Sequence, residues 1–266
     1  MIHSRKILTE RQKILSKGKY KTSKTRKMYF VRLYGRIIVL LLTGLLFFFA
    51  KDQFEVVKDL NFFKEFSVFH ILWVIWMIDM IMQLMPVKAY ISIGSQKQFR
   101  GLFRPIKEKI NKQKLKKYLI DTTLSAYKVM AIWLMLISAI SILYLTGVID
   151  YAVVLLISTV FYVCDLICVL IWCPFRLIMG NKCCTTCRIF NWDHLMMFSP
   201  FIAVKGFFSW SLFVSAFVIW LVWEICVFTH PERFWENSNM ALKCSECTDK
   251  LCTQYCRRLR KTNDKN

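Results

Sequence analysis

Apolar residues in this chain come in long unbroken runs rather than at amphipathic spacing, and most polar residues are confined to the stretches between them. Runs at 34–50, 66–85, 126–145, 151–173 and 206–228 meet or approach the length of about 20 residues that a helix needs to cross the hydrocarbon core of a bilayer. They predict an all-α membrane protein, a polytopic helical bundle of about five transmembrane helices with short cysteine-rich surface segments. The first run is the shortest, because its continuous apolar part begins at Ile37 and stops at Lys51. Aromatic residues near the ends of the runs, among them Phe66, Tyr151, Trp172 and Phe228, suit the headgroup belt. Residues 147–150 are the only break between the third and fourth runs, so these two form a tight helical hairpin.

The implied organisation is a basic cytoplasmic arm (1–36), four transmembrane helices (37–173) with a basic amphipathic cytoplasmic loop (87–125), a cysteine-rich loop (174–205), a fifth transmembrane helix (206–228) and a cysteine-rich tail (229–266). This leaves no room for a separate soluble catalytic domain. The first run is expected to remain in the mature protein, since a long polar stretch precedes it and no A-x-A cleavage site follows.

Charge fixes an expected orientation. The net charge is +21, and the arm holds a run of lysines and arginines against Glu10 alone. The loop after the second run is equally basic, whereas residues 51–65 carry four acids against three bases. Basic residues flanking membrane segments stay in the cytoplasm, so the chain is a multi-pass cell-membrane protein with its N-terminus inside. The same rule accounts for the charge without nucleic acid, leaving the lipid bilayer and its anionic headgroups as partners. Phe99, Leu102, Phe103, Ile106 and Ile110 recur at helical spacing among the lysines of the middle loop, the pattern of a helix lying on an anionic surface. Strict alternation puts the tail outside. The competing path makes 190–204, which contains Pro200, a re-entrant or interfacial piece that returns the tail to the cytoplasm.

Eight of the eleven cysteines form two tight groups around the last apolar run, and tight grouping of thiols points to metal ligation or redox work. Before it stand Cys173, Cys183, Cys184 and Cys187, with the two-residue spacing of Cys184 and Cys187 letting both sulfurs face one metal and His194 as a substitute ligand. After it stand Cys244, Cys247, Cys252 and Cys256, close to the spacing of a zinc knuckle with cysteine in the histidine position. Four thiolates suit an iron–sulfur cluster or zinc, and spacing does not choose between them. In an oxidising compartment the second group could instead form disulfides. Cys164 and Cys168, inside the fourth run, read as small buried side chains.

Asp79, Asp165 and Glu224 interrupt apolar runs, where an ionised side chain costs at least about 2.5 to 3.5 kcal/mol and so requires a partner. Asp79 and Asp165 fall at similar depth, which suggests a shared proton or cation path; pairing of each acid with a hydroxyl or with a lysine such as Lys128 is the plainer reading. Met77, Met80, Met82 and Met85 are soft donors at helical spacing, though methionine usually serves as adaptable packing. No phosphate loop, Ser-His-Asp arrangement or H-E-x-x-H helix is present, so no reaction is specified. The expected function is a membrane protein with cysteine-ligated metal or iron–sulfur centres that passes electrons to a redox partner protein. The alternatives are a non-enzymatic scaffold with structural zinc, or a soft-metal transporter or sensor using Asp79, Asp165 and the thiols.

Overall fold

The computed structural model describes residues 24–64, 66–85, 99–106, 110–181 and 186–243. These fold as helices α1 (Lys24–Phe49), α2 (Phe69–Leu84), α3 (Lys112–Leu145), α4 (Tyr151–Leu170), α5 (Phe175–Met179), α6 (Asp193–Phe198) and α7 (Phe207–Thr229), joined by turns of tighter 3-10 helix, with no strand among the described residues. Four of them, α1, α3, α4 and α7, are long and apolar enough to cross a membrane. Helix α2 is shorter than its apolar run, at 16 residues. Ser67 sets its start, its hydroxyl accepting from the Phe69 amide at 3.3 Å while its own amide donates to His70 Nδ1 at 3.0 Å. Its end falls at Met85, whose extended backbone is what the following Pro86 demands.

Local sequence explains the other ends. Asn111 caps α3 by accepting from the amides of Gln113 and Lys114, and Asp150 caps α4 by accepting from Val153. Between α3 and α4, Gly147 takes a φ of 76°, which makes the expected hairpin turn. Helix α1 starts well before its apolar run, so Arg26, Lys27, Arg32 and Arg36 belong to a helix rather than to an arm that ends at residue 36.

The path through the bundle is read from its two ends. At one end, Lys51 pairs with Asp150 at 2.5 Å, joining the exit of α1 to the entry of α4. The same end holds the start of α7: the Asp59 amide donates to Lys205 O at 2.8 Å and the Phe207 amide donates to Asp59 O at 2.9 Å. At the other end, the segment after α7 lies beside the entry of α3. Pro105 and Asn239 form an antiparallel bridge, the Met240 amide donates to Arg104 O at 2.8 Å, and Trp235 stacks on Tyr118 at 5.8 Å.

Helix α7 therefore runs from the Lys51 end to the Lys112 end, the reverse of the direction that strict alternation of five helices gives. The reversal arises because residues 186–204 pass through the bundle as α6 and 3-10 turns instead of staying at one end as a loop. Phe198 and Phe201 are wholly buried there, packing with Trp76 of α2 and Phe208 of α7. Pro200, which breaks the apolar pattern, sits in the 3-10 turn Ser199–Ala203.

The amphipathic helix expected in the middle loop does not form over the described part. Among the described residues of 99–110 only Arg100–Leu102 makes a 3-10 turn, and Phe103 is extended, while 112–125, expected to belong to the loop, is the first part of α3. Pro105 biases its predecessor to extended backbone, the tail pairs with this stretch, and Phe99 packs on Trp223 at 5.4 Å instead of on a lipid surface.

Candidate functional site

Two helix stripes carry charge to the same point. On α1 the positions 29, 33, 36, 40 and 43 follow alternating four- and three-residue steps; Tyr29, Leu33 and Thr43 are buried, and Arg36 falls in the middle of this stripe. Tyr29 and Leu33 pack on Val163, Leu166 and Leu170 of α4, which brings the Arg36 guanidinium to Asp165. Arg36 Nη1 donates to Asp165 Oδ2 at 2.7 Å and to the Tyr162 carbonyl at 2.7 Å, and its Cζ lies 4.0 Å from the centre of the Tyr162 ring. Its second terminal nitrogen, Nη2, donates to Asp79 Oδ2 on α2 at 3.3 Å. The two acids that sequence reading set at similar depth thus share one arginine, and the arginine is one that charge counting assigned to the cytoplasmic arm.

The connection through the bundle adds a third acid and a histidine. His194 Nε2 faces Asp79 Oδ2 at 3.6 Å, and His194 Nδ1 lies 2.8 Å from Gln83 Oε1 and 3.3 Å from Asp193 Oδ1. Gln83 in turn donates to Asp193 Oδ1 at 2.9 Å. A cavity of about 50 Å³ is walled by these groups together with Arg32 and Tyr29. His194, a candidate substitute ligand for the first cysteine group, is engaged in this network.

Glu224, the remaining acid of the apolar runs, has a separate set of partners. Arg188 grips it with both terminal nitrogens, at 2.8 and 2.5 Å, and the Trp192 indole donates to Glu224 Oε1 at 2.8 Å. Both charged side chains are buried, and the two-pronged geometry is the strong form of such a pair. Because Arg188 follows Cys187, the grip ties the cysteine-rich connection to α7. Lys128 is not the partner of any of the three acids; Arg36 and Arg188 are.

Cys164, Cys168, Cys173 and Cys187 are reduced thiols, and all four line a single larger cavity of about 240 Å³ near the Lys112 end. Its walls include the rings of Trp133, Phe161 and Phe175, with Trp133 to Phe161 centres 4.9 Å apart. Asp165 and Asp193 line this cavity as well as the polar one, so the ionic network is the partition between them. Cys173 stands just past the end of α4. It accepts a hydrogen bond from the Cys168 thiol and is also met by the backbone amides of Arg176 and Phe175.

Cys183 and Cys184 lie outside the described residues, as do Cys244, Cys247, Cys252 and Cys256. Among the described residues, no three His, Cys, Asp or Glu side chains gather closely enough to hold a metal ion. Asn181 and Cys187, on either side of Cys183 and Cys184 in the chain, both line the thiol cavity. Lys243, which precedes Cys244, lies by the Lys112 end, hydrogen-bonded through its amide to Met240 O at 3.1 Å.

Sequence reading missed Arg36, Gln83, Asp193 and Arg188. A signal existed for two of them: Arg36 keeps the register of the α1 stripe, and Gln83 sits one turn from Asp79 on α2. No family model, curated protein or solved structure matches the chain.

Proposed function

We propose that this chain is an integral membrane redox protein whose electron-carrying groups are the cysteines at the Lys112 end of the bundle. That end gathers Arg100, Arg104, Lys112, Lys114, Lys116 and Lys117, while the Lys51 end balances its lysines with Asp52, Glu55, Asp59 and Asp150. Under the positive-inside rule the cysteine end is then cytoplasmic. In a reducing compartment grouped thiols serve as metal ligands or as transient redox groups rather than as structural disulfides.

The observation that carries the reading is the sharing of one cavity by four thiols and two carboxylates of the buried ionic network. Cys173 and Cys187 come to this cavity from opposite sides of the segment that holds Cys183 and Cys184. This supports redox work by the thiols themselves, or a four-thiolate zinc or iron–sulfur site made by Cys173, Cys183, Cys184 and Cys187. Asp165 and Asp193 beside it offer carboxylates to move protons with the electrons, and Arg36 and His194 hold those carboxylates without a bound cation.

A second reading, passage of a soft metal ion, is favoured by the same two acids lining both cavities. Anaerobic purification with metal and acid-labile sulfide analysis separates the possibilities. A redox centre gives iron and sulfide, visible absorption that changes on reduction, and loss of both in Cys184→Ser. Stoichiometric zinc in a colourless protein indicates the structural scaffold, and metal flux into vesicles indicates transport. Wild-type protein with no metal and no thiol that can be reversibly oxidised would end the redox reading.

A further inference from the structure

The thiol cavity has a second property that metal ligation does not use: apart from its thiols, Asp165, Arg176, Asn181 and Asp193, its lining is apolar or aromatic, and it lies at the depth of the last turns of α4. Trp133 and Phe175 have ring centres 6.2 Å apart, and the Trp133 indole is held in place by donating to Ser199 Oγ at 3.0 Å. The Trp133 N–H is thus engaged, and its ring is left to apolar contact in the cavity wall. Into this aromatic slot project two sulfurs joined by a hydrogen bond, Cys168 from the last turn of α4 and Cys173 from the turn that follows it.

A flat, lipid-soluble ring fits such a slot, whereas a charged peptide disulfide would have to shed its hydration to enter. A ring that meets two adjacent thiols and exchanges with them must accept two electrons and two protons. Quinones satisfy all of these conditions.

We propose that this cavity binds a lipid-soluble quinone and that Cys168 and Cys173 reduce it. The two sulfurs lose their protons and one electron pair, and a Cys168–Cys173 disulfide forms. The quinone gains the two electrons and two protons, its carbonyls become hydroxyls, and it leaves as the quinol. This rests on the redox reading above and makes Cys173 a redox thiol rather than a metal ligand. Transient disulfides of this kind are the form in which cytoplasmic thiols are usually oxidised.

The test uses the full chain, reduced, in lipid nanodiscs, with ubiquinone-1 as the probe and ferricyanide as a general oxidant. Wild type should convert one equivalent of quinone to quinol, and differential alkylation with mass spectrometry should locate the new disulfide at Cys168 and Cys173. Cys168→Ser and Cys173→Ser should each abolish quinone reduction, Cys226→Ser should behave as wild type, and Trp133→Leu should weaken quinone binding roughly tenfold. Quinone left unreduced while ferricyanide reversibly oxidises the cysteines would overturn this inference and leave the redox reading standing. Protection of Cys173 by a bound metal during the quinone reaction would do the same. Failure of both oxidants would overturn both.

Discussion

Replacing Arg36 by methionine removes the one cation that Asp79 and Asp165 share. The side chain keeps its apolar stem, so packing against α4 is largely retained and the loss is electrostatic. Asp165 bears most of it: it is the closer partner at 2.7 Å and only 20 % of its side chain is exposed. Asp79 lies at 3.3 Å, is 31 % exposed, and keeps His194 at 3.6 Å. Breaking a buried pair by removing one partner costs about 3–5 kcal/mol, and the residual partner of Asp79 puts the expectation near the lower figure, about 3 kcal/mol. For a chain of 266 residues this corresponds to a fall in Tm of roughly 6–12 °C, at about 2–4 °C for each kcal/mol. Asp165→Asn in the same protein removes the stranded charge and should restore at least half of the lost stability. The assay is thermal unfolding in one detergent or nanodisc, followed by tryptophan emission, for wild type, the single variant and the double variant. A single variant that melts within about 1 °C of wild type, or a double variant no better than the single, would refute the reasoning.

Other consequences can be checked alongside. Glu224→Gln leaves Arg188 buried without its anion and should destabilise by about 3–5 kcal/mol, with faster alkylation of Cys187 as the tether to α7 loosens; unchanged Cys187 labelling would remove Arg188 from that positioning role. Gly206→Ala would put a Cβ 2.4 Å from Val57 O and 2.8 Å from the Asp59 nitrogen, so it should cost about 1–3 kcal/mol by forcing the α7 entry away from the loop after α1, and an unshifted melt would contradict that packing. Asp150 is buried enough to oppose ionisation, but Lys51 and the Val153 amide prevail and hold it below the usual carboxylate range. Its stability contribution is present above the unfolded value of about 4 and is lost as pH falls through the depressed folded value, so Asp150→Asn should flatten the acid side of the stability profile; an identical profile would count against the pair. Membrane-impermeant maleimide on right-side-out and inverted vesicles should reach Cys183, Cys184 and Cys187 from the same side as Cys244 to Cys256, and labelling from opposite sides would refute the reversed path of α7.

Much of the architecture was legible because it rests on local rules. Helices α4 and α7 follow from unbroken apolar runs, and so does the second half of α3, whose start at Lys112 lies inside the stretch expected to be a loop; the α3–α4 hairpin follows from Gly147 and the capping Asp150. The direction of α7 was not legible. It depends on whether 186–204 enters the bundle, which is settled by how Phe198 and Phe201 pack against Trp76 and Phe208, residues distant in sequence. The acids of the site could be found as polar residues in apolar runs. Arg36 could not be found in the same way, because a basic residue near the start of a first membrane helix is already explained by orientation. Only its register with Tyr29 and Leu33 marks it as inward-facing. The middle loop misled for the opposite reason: its helical periodicity is real, but Pro105 and pairing with Asn239 impose extended backbone.

An equilibrium redox titration of the purified chain in nanodiscs, following visible absorption and the number of alkylatable thiols together, tests the central claim most directly. The account predicts one reversible transition that is lost in Cys173→Ser and retained in Cys226→Ser. A thiol count and a spectrum that stay constant across the whole range of applied potential would contradict it.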